Sequence, residues 1–358
     1  MTQLERFQET LAKSDFDAAL ISSPVNQRYL SDFCFSDGCI IVDADKAFLI
    51  TDPRYAEAAR SSITAFEIIV REDPLNDVLA SIIEKNGYSN VAIEETELSC
   101  KAFGSLKAKL NTECRLSSGA STMLSAQRAI KLPHEIERMK KAQQITDMAF
   151  EHILGFISPD VTERDVALEL EFFMRKNGAE ACAFSTIAVS GPASSLPHGV
   201  PSDVKLRQGF FTMDFGARYK GYCSDMTRTV VIGKADEEQK AVYNTVLSAQ
   251  LAAIDGIRGG MLCRDADEIA RSIIRNAGYG EAFSHSLGHG VGMNVHESPS
   301  LSQRAAEDSR IFPGNVITVE PGIYLEGKFG CRIEDMIAIN QDGSVYNFTA
   351  SPKNLIEI

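Results

Sequence analysis

The sequence predicts an α/β domain followed by an α+β domain with a pseudo-two-fold internal repeat. Three observations support this fold class: short apolar runs alternate with helical stretches over residues 1–122, a pair of amphipathic helices occurs twice over residues 123–358, and strand-like segments follow each pair. Alternating helices and strands are typical of an α/β layer, whereas separate blocks of helices and strands indicate an α+β arrangement. A chain of 358 residues is long enough for both domains.

The N-terminal domain is predicted from its strand candidates. Apolar runs occur at residues 18–21, 39–42, 66–70 and 91–93, and a segment with helical spacing, 75–84, lies between the last two. Residues 117–122 are small and polar, as in a linker. We therefore place the domain boundary between residues 122 and 123.

The C-terminal domain begins with a predicted helix after Lys131-Leu-Pro133, because proline is favoured in the first helical turn. Thr162 and Asp165 have the spacing of a cap for the next helix, which Asn177-Gly178 ends. A comparable helix pair is predicted at about 237–257 and 265–277. This repetition predicts two similar halves that face each other.

A β-hairpin is predicted to bring two aspartates together. Its strands are residues 209–216 and 222–232. If the turn is centred between Tyr219 and Lys220, Asp214 faces Asp225, and the Cβ atoms of such a pair are about 5 Å apart. Two like charges at that separation are destabilising unless a cation lies between them. Two solvated hairpin aspartates are the alternative interpretation.

Further candidate residues lie in three later segments. His289 lies in a glycine-rich loop together with His285 and His296, so three of the six histidines fall within twelve residues. Glu320 ends an apolar strand before a Pro-Gly turn. Arg332 and Glu334 share one face of a strand by the period of two, and a structural Arg–Glu pair is the alternative interpretation.

The mixture of side chains indicates a metal site. Four carboxylates and one imidazole suit a pair of hard-to-borderline divalent cations. These ligands favour Mn or Co, with Fe and Zn as alternatives. The candidate metal ligands are Asp214, Asp225, His289, Glu320 and Glu334.

The same segments resemble the pita-bread metallopeptidases, which include methionine aminopeptidase, aminopeptidase P, prolidase and the related creatinases. The matching text is Met213-Asp-Phe-Gly216, Cys223-Ser-Asp-Met-Thr-Arg228, Gly288-His-Gly-Val-Gly292, Val295-His-Glu297, Val319-Glu-Pro-Gly322 and Arg332-Ile-Glu334. The resemblance is dense from Leu124 to the C-terminus and looser over the first 120 residues. It implies the pita-bread fold for the C-terminal domain.

The resemblance also implies roles. Asp225 and Glu334 would bridge two metal ions, Asp214 would bind one of them, and His289 with Glu320 the other. A metal-bridging hydroxide would be the nucleophile, and Glu320 would shuttle the proton to the leaving nitrogen. In the family, His296 matches a histidine that contacts the substrate and its tetrahedral intermediate, and His198 matches a histidine that lines the pocket. His285 and Arg332 match outer residues that support ligands and substrate.

An N-terminal α/β domain of this size is similar to that of the Xaa-Pro branch, aminopeptidase P and prolidase. The implied substrates are short peptides with proline at the second position. A dipeptidase must bind a free carboxylate, usually with Arg; several prolidases carry one just after the His-Glu-x-Pro turn, where this chain has Ser300. This favours an Xaa-Pro aminopeptidase over an Xaa-Pro dipeptidase. Arg332 or a basic residue of the N-terminal domain remains a candidate for binding that carboxylate.

Composition restricts the other function classes. The net charge of −13 argues against nucleic-acid and anionic membrane partners. The eight cysteines lack Cys-x-x-Cys spacing, the N-terminus is polar, and no apolar run approaches a membrane span, so we expect a cytoplasmic protein. The family implies a homodimer. The less favoured alternatives are a methionine aminopeptidase, a metal-free creatinase-like hydrolase and a non-catalytic binding protein.

Overall fold

A computed structural model describes all 358 residues, which form two compact units, 1–128 and 129–358. The boundary lies six residues after the sequence-based one, because the predicted linker is not a linker. Residues 115–118 form a strand that pairs with its neighbour, and a helix begins at Ala120 after Gly119, whose φ is 151°.

The first unit is the predicted α/β layer. Its helices are α1 (Gln3–Leu11), α2 (Pro24–Ser31), α3 (Ala56–Ser62), α4 (Leu75–Lys85), α5 (Cys100–Lys107) and α6 (Ala120–Ala129). Its strands are β1 (Ala18–Ile21), β2 (Cys39–Asp43), β3 (Ala47–Thr51), β4 (Glu67–Val70), β5 (Asn90–Ile93) and β6 (Arg115–Ser118).

These six strands form one mixed sheet in the order β4-β3-β2-β1-β5-β6. The β1–β2 and β2–β3 pairs are antiparallel, and the other three pairs are parallel. β1 and most of β2 and β5 are buried, as expected for strands in the middle of a covered sheet.

The second unit contains the predicted helix pairs. They are α7 (Pro133–Phe156) with α8 (Glu163–Lys176), and α9 (Glu237–Gly256) with α10 (Cys263–Asn276). Thr162 and Asp165 form the predicted cap of α8, in which each backbone N–H bonds to the other side chain. Gly178 and Gly278 have φ of 107° and 90° where α8 and α10 end, a conformation that favours glycine.

Strands follow each helix pair, and they form separate sheets. After α8 come β7 (Ala181–Cys182), β8 (Ile187–Ser190), β9 (Gly209–Phe215), β10 (Ala217–Tyr219), β11 (Tyr222–Cys223) and β12 (Met226–Ile232). After α10 come β13 (Gly288–Gly290), β14 (Glu297–Leu301), β15 (Val316–Val319), β16 (Gly322–Leu325), β17 (Phe329–Arg332), β18 (Asp335–Ile339) and β19 (Val345–Asn347).

The two halves have separate hydrophobic cores. One core joins α7 and α8 to β9 and β12, and it includes the predicted apolar face of β9: Phe211, Met213 and Phe215. The other joins α9 and α10 to β15 and β18. The predicted two-half plan of helices and sheet is therefore confirmed. None of the helices combines the length and apolar character needed to cross a bilayer.

Candidate metal centre

The five candidate ligands lie at or near strand ends in the second unit. Asp214 is on β9, Asp225 lies between β11 and β12, His289 is on β13, Glu320 directly follows β15, and Glu334 lies between β17 and β18. Single ligand atoms of Asp225, His289 and Glu334 are all within 4.8 Å of one another. His289 Nε2 is also 3.2 Å from Glu320 Oε1 and 3.6 Å from Asp225 Oδ2.

The register predicted for the hairpin is wrong by one residue at the turn. Asp214 pairs with Thr227, not with Asp225. The turn consists of Lys220 and Gly221, with φ of 46° and 87°. A two-residue hairpin turn with positive φ at both positions favours glycine, which adopts such φ values readily. Moving the centre of the turn by one residue moves the cross-strand partner of Asp214 by two residues. Asp225 therefore stays on the same face of the hairpin as Asp214 and lies diagonally across from it.

His289 is oriented by its backbone surroundings. Its Nδ1 donates to the carbonyl oxygen of Gly290 at 3.1 Å, and this hydrogen bond orients the ring so that Nε2 faces the carboxylates. A Cβ at Gly288 would lie 2.1 Å from the Thr318 carbonyl oxygen, and one at Gly290 would lie 2.2 Å from that of Ser298. The glycines around His289 therefore allow β13 to lie between its neighbours.

The acids form a buried cluster of like charge. Burial, and then the charges of Glu334 and Asp214, raise the pKa of Asp225 well above its usual value. Burial, and then the charges of Glu320 and Asp214, raise the pKa of Glu334 well above its usual value. Burial also raises the pKa of Glu320, but its hydrogen bond to His289 and the charge of His289 outweigh this and lower the pKa to about 2. These carboxylates can all be ionised together only if cations neutralise them.

Two oxygens in this cluster have no hydrogen-bond partner. Asp214 Oδ1 and Glu334 Oε1 are fully buried and unpaired, while the second oxygen of each residue accepts a hydrogen bond. An unpaired buried carboxylate oxygen is costly, and metal coordination would satisfy it. The donors present, carboxylate oxygen and imidazole nitrogen, therefore fit divalent cations.

Arg332 pairs with Asp214 and not with Glu334, which excludes the alternative interpretation of a structural Arg332–Glu334 pair. Its Nη2 donates to Asp214 Oδ2 at 2.7 Å, and its Nη1 donates to the Tyr324 hydroxyl at 2.7 Å. That hydroxyl is 2.9 Å from His285 Nε2. His285 Nδ1 faces the Ser286 carbonyl at 2.8 Å, so Nε2 accepts the hydroxyl proton. A chain of hydrogen bonds thus runs from His285 to Asp214.

Sequence reasoning missed Tyr324 and two threonines. Thr227 Oγ1 accepts from Arg332 Nε at 2.9 Å and donates to Glu334 Oε2 at 2.7 Å. Thr318 Oγ1 accepts from the His289 backbone N–H at 3.1 Å and donates to Glu320 Oε1 at 3.0 Å. Each threonine is two residues from an acid, Asp225 or Glu320, and the period of two was a signal that could have found them.

Of the two other candidate histidines, His296 lies beside the cluster and His198 interacts with His296. The ring centroids of His296 and His289 are 4.3 Å apart. Burial lowers the pKa of His296, and the nearby charges of His289 and His198 lower it further. His198 itself is exposed, in the segment between β8 and β9. The His296 imidazole can therefore donate or accept protons next to the acids.

Two family models match the chain. The model of metallopeptidase family M24 matches residues 137–341, and that of the creatinase/prolidase N-terminal domain matches residues 3–130. Among curated proteins, an Xaa-Pro dipeptidase of Pyrococcus furiosus is 37% identical over 96% of each chain.

Solved structures are similar over nearly the whole chain. An Xaa-Pro dipeptidase from Bacillus anthracis has 40% identity and a TM-score of 0.94 and covers 99% of each chain. An X-Pro aminopeptidase from Thermotoga maritima has 37% identity and a TM-score of 0.91, with coverage of 99% of this chain and 100% of that one.

Proposed function

This chain is a member of metallopeptidase family M24 with a creatinase/prolidase N-terminal domain and the pita-bread fold, and we propose that it is a two-metal Xaa-Pro aminopeptidase. Its substrates would be short peptides with proline at the second position. The observation that carries the proposal is the meeting of ligand atoms from Asp225, His289 and Glu334 within 4.8 Å, with Glu320 3.2 Å from His289.

Each residue has a proposed role in holding the ions. Asp225 and Glu334 would each contribute to holding both ions, Asp214 would contribute to one, and His289 with Glu320 to the other. Divalent ions held there, Mn or Co in this proposal, would supply an activated water and polarise the scissile carbonyl. The unpaired oxygens of Asp214 and Glu334 support this assignment.

The protein side chains would move the protons. Glu320 would accept a proton from the attacking water and pass it to the leaving nitrogen. Thr318 holds one of its oxygens at 3.0 Å and so fixes the direction of the carboxylate. His296, whose ring is tilted against that of His289, is proposed to contact the peptide and its tetrahedral intermediate, and His198 is proposed to line the pocket.

Ser300 favours the aminopeptidase over the dipeptidase. Position 300 pairs with His289 across β13 and β14, so a side chain there lies on the face that carries the ligand. An Arg at this position would reach the site, whereas Ser300 offers no cation for a substrate carboxylate. Arg332 is a poor substitute because it is buried and already donates to Asp214, Thr227 and Tyr324.

Xaa-Pro dipeptidase is the second candidate, and it is favoured by the names of the similar proteins from Pyrococcus furiosus and Bacillus anthracis. The homodimer and the cytoplasmic location stay predictions.

Hydrolysis of four peptides by one Mn- or Co-loaded preparation tests the assignment. The proposal expects Ala-Pro-Ala to be cleaved faster than Ala-Pro and Gly-Pro, with Met-Ala-Ser nearly inert. Preference for the dipeptides would make the protein an Xaa-Pro dipeptidase. Cleavage of Met-Ala-Ser alone would indicate a methionine aminopeptidase, and no cleavage of any peptide would reject the proposal.

A further inference from the structure

An ion pair on α10 holds the segment that leads into β13. Asp267 and Arg271 are four residues apart on this helix, and their side chains meet through Arg271 Nε and Asp267 Oδ2 at 2.6 Å. The side chain of Asp267 is fully buried and that of Arg271 is 20% exposed. Removing an ion pair from water costs free energy, so a buried pair depends on hydrogen bonds to other groups to offset that cost.

The pair bonds to the backbone of residues 283–287 at three points. Arg271 donates to the carbonyl oxygen of Phe283 at 3.0 Å and to that of His285 at 2.7 Å. Asp267 Oδ1 accepts from the Leu287 N–H at 2.9 Å, and the same N–H also donates to the Leu301 carbonyl oxygen. Arg271 also lies 4.2 Å from the centre of the Phe283 ring, which packs edge-on against the His285 ring. The segment is therefore fixed on both sides of His285.

Leu287 connects this clamp to the acid cluster. Its carbonyl oxygen accepts from the backbone N–H of Glu320 at 2.8 Å, and its chain continues through Gly288 to His289. The positions of His289 and Glu320 thus depend on the same residue that Asp267 holds. Gln303 Nε2 donates to Asp267 Oδ2 at 2.8 Å and steadies the carboxylate.

We propose that Asp267 and Arg271 are positioning residues that set the geometry of His285, His289 and Glu320 through the backbone of residues 283–287. The inference rests on the proposed function for its consequence in catalysis. Arg271 is suited to this role because its planar fork presents donors in fixed directions to two carbonyls and a carboxylate at once, a geometry that a lysine ammonium does not have.

The test compares variants of this pair with variants of an exposed pair on the same helix. Asp267→Leu/Arg271→Met removes the clamp while an apolar pair fills the space, a change that buried ion pairs often tolerate without loss of stability. The matched control is Glu268→Gln/Arg275→Gln, because Arg275 and Glu268 also pair, at 2.5 Å, but their side chains are 54% and 44% exposed.

We expect the clamp variant to lose about 10–100-fold in Mn²⁺ affinity, as is typical when a partner behind a metal ligand is removed. Calorimetry measures the affinity, and the visible spectrum of the Co²⁺ form reports altered ligand geometry; neither readout changes for a residue that only stabilises the folded state. The control variant should match the wild type. A folded clamp variant with wild-type affinity and spectrum would overturn the proposal.

Two further measurements keep the test decisive. If the double variant does not fold, Arg271→Lys retains the charge but not the fork, and wild-type affinity in that variant would overturn the proposal. Amide hydrogen exchange at Leu287 and His289 needs no metal: faster exchange in the variant supports the inference, and unchanged protection refutes it. A wild-type protein that binds no divalent ion would reject the proposed function, while the exchange result would still decide this inference.

Discussion

Arg332 and Asp214 form a buried charge pair in which only one carboxylate oxygen is used. Arg332 Nη2 donates to Asp214 Oδ2 at 2.7 Å, and Asp214 Oδ1 is buried without a partner. The guanidinium therefore orients the carboxylate and leaves its other oxygen directed into the cluster. Burial raises the pKa of Asp214, and the Arg332 charge opposes this.

Arg332→Lys should weaken the site although it keeps the charge. The three groups that Arg332 contacts, Asp214, Thr227 and Tyr324, lie around a planar fork that an ammonium cannot replace. We expect a loss of about 10–100-fold in metal affinity or activity, measured by calorimetry and by peptide hydrolysis. Arg304→Lys, at an exposed arginine, is the control. Equal behaviour of the two variants would contradict this role of Arg332.

Glu320→Gln should fold normally and lose turnover. The amide keeps the size of the side chain, including its contact with Thr318, but cannot accept the proton of the attacking water. Loss of a general base costs typically 10²–10⁴-fold, so we expect kcat to fall by about that factor. Circular dichroism verifies the fold, and steady-state hydrolysis of Ala-Pro-Ala measures kcat. Undiminished kcat would remove Glu320 from the mechanism.

Ser300→Arg should shift the preference toward dipeptides. The new guanidinium would stand across from His289 and could bind a free substrate carboxylate. A charge-assisted hydrogen bond contributes about 1.5–3 kcal/mol, so kcat/KM for Ala-Pro relative to Ala-Pro-Ala should rise at least about tenfold. Ser300→Gln, which lengthens the side chain without adding a charge, should leave the ratio unchanged. An unchanged ratio in Ser300→Arg would mean that the carboxylate is recognised elsewhere.

The acid stability of the protein should depend on Asp335. Burial raises the pKa of this carboxyl, but the charges of Arg228 and Lys353 outweigh burial and hold the pKa below its usual value. A carboxyl with a lowered pKa in the folded state stabilises it above the unfolded pKa of about 3.9, and this contribution is lost as the pH falls through the folded pKa. Asp335→Asn should therefore be destabilised at neutral pH, with a difference from wild type that shrinks below about pH 4.

Urea unfolding over a pH series measures this difference. Breaking a buried pair by removing one partner costs about 3–5 kcal/mol, which sets the expected size at neutral pH. Asp308→Asn, at an exposed aspartate, should follow the wild-type curve at every pH. A constant offset between Asp335→Asn and wild type across the whole series would show that the ionisation of Asp335 does not contribute.

Much of the site could be predicted because each ligand has a clear local context. The side of β9 on which Asp214 lies was predictable from the alternation of residues along the strand. The error in the hairpin turn did not change this prediction, because it moved the cross-strand partner of Asp214 by two residues and so left the faces unchanged. The position of the turn was not predictable, since Lys220 adopts a positive φ that its residue type does not indicate.

The supporting residues could not be recognised in the same way. Tyr324 on β16 is of a type common in strands, and only the folded chain brings its hydroxyl between His285 and Arg332. Asp267 and Arg271 have the spacing of an ordinary surface ion pair on a helix. Their burial, and their bonds to the backbone of residues 283–287, depend on how α10 packs and not on local sequence.

The most direct test of the central claim is the metal content of the purified protein, measured together with its peptidase activity. We expect two divalent ions per chain in the Mn- or Co-loaded protein, loss of Ala-Pro-Ala hydrolysis when a chelator removes them, and recovery on their return. Asp225→Asn should lower the metal content under the same conditions. Full activity in protein that holds no divalent ions would contradict the account.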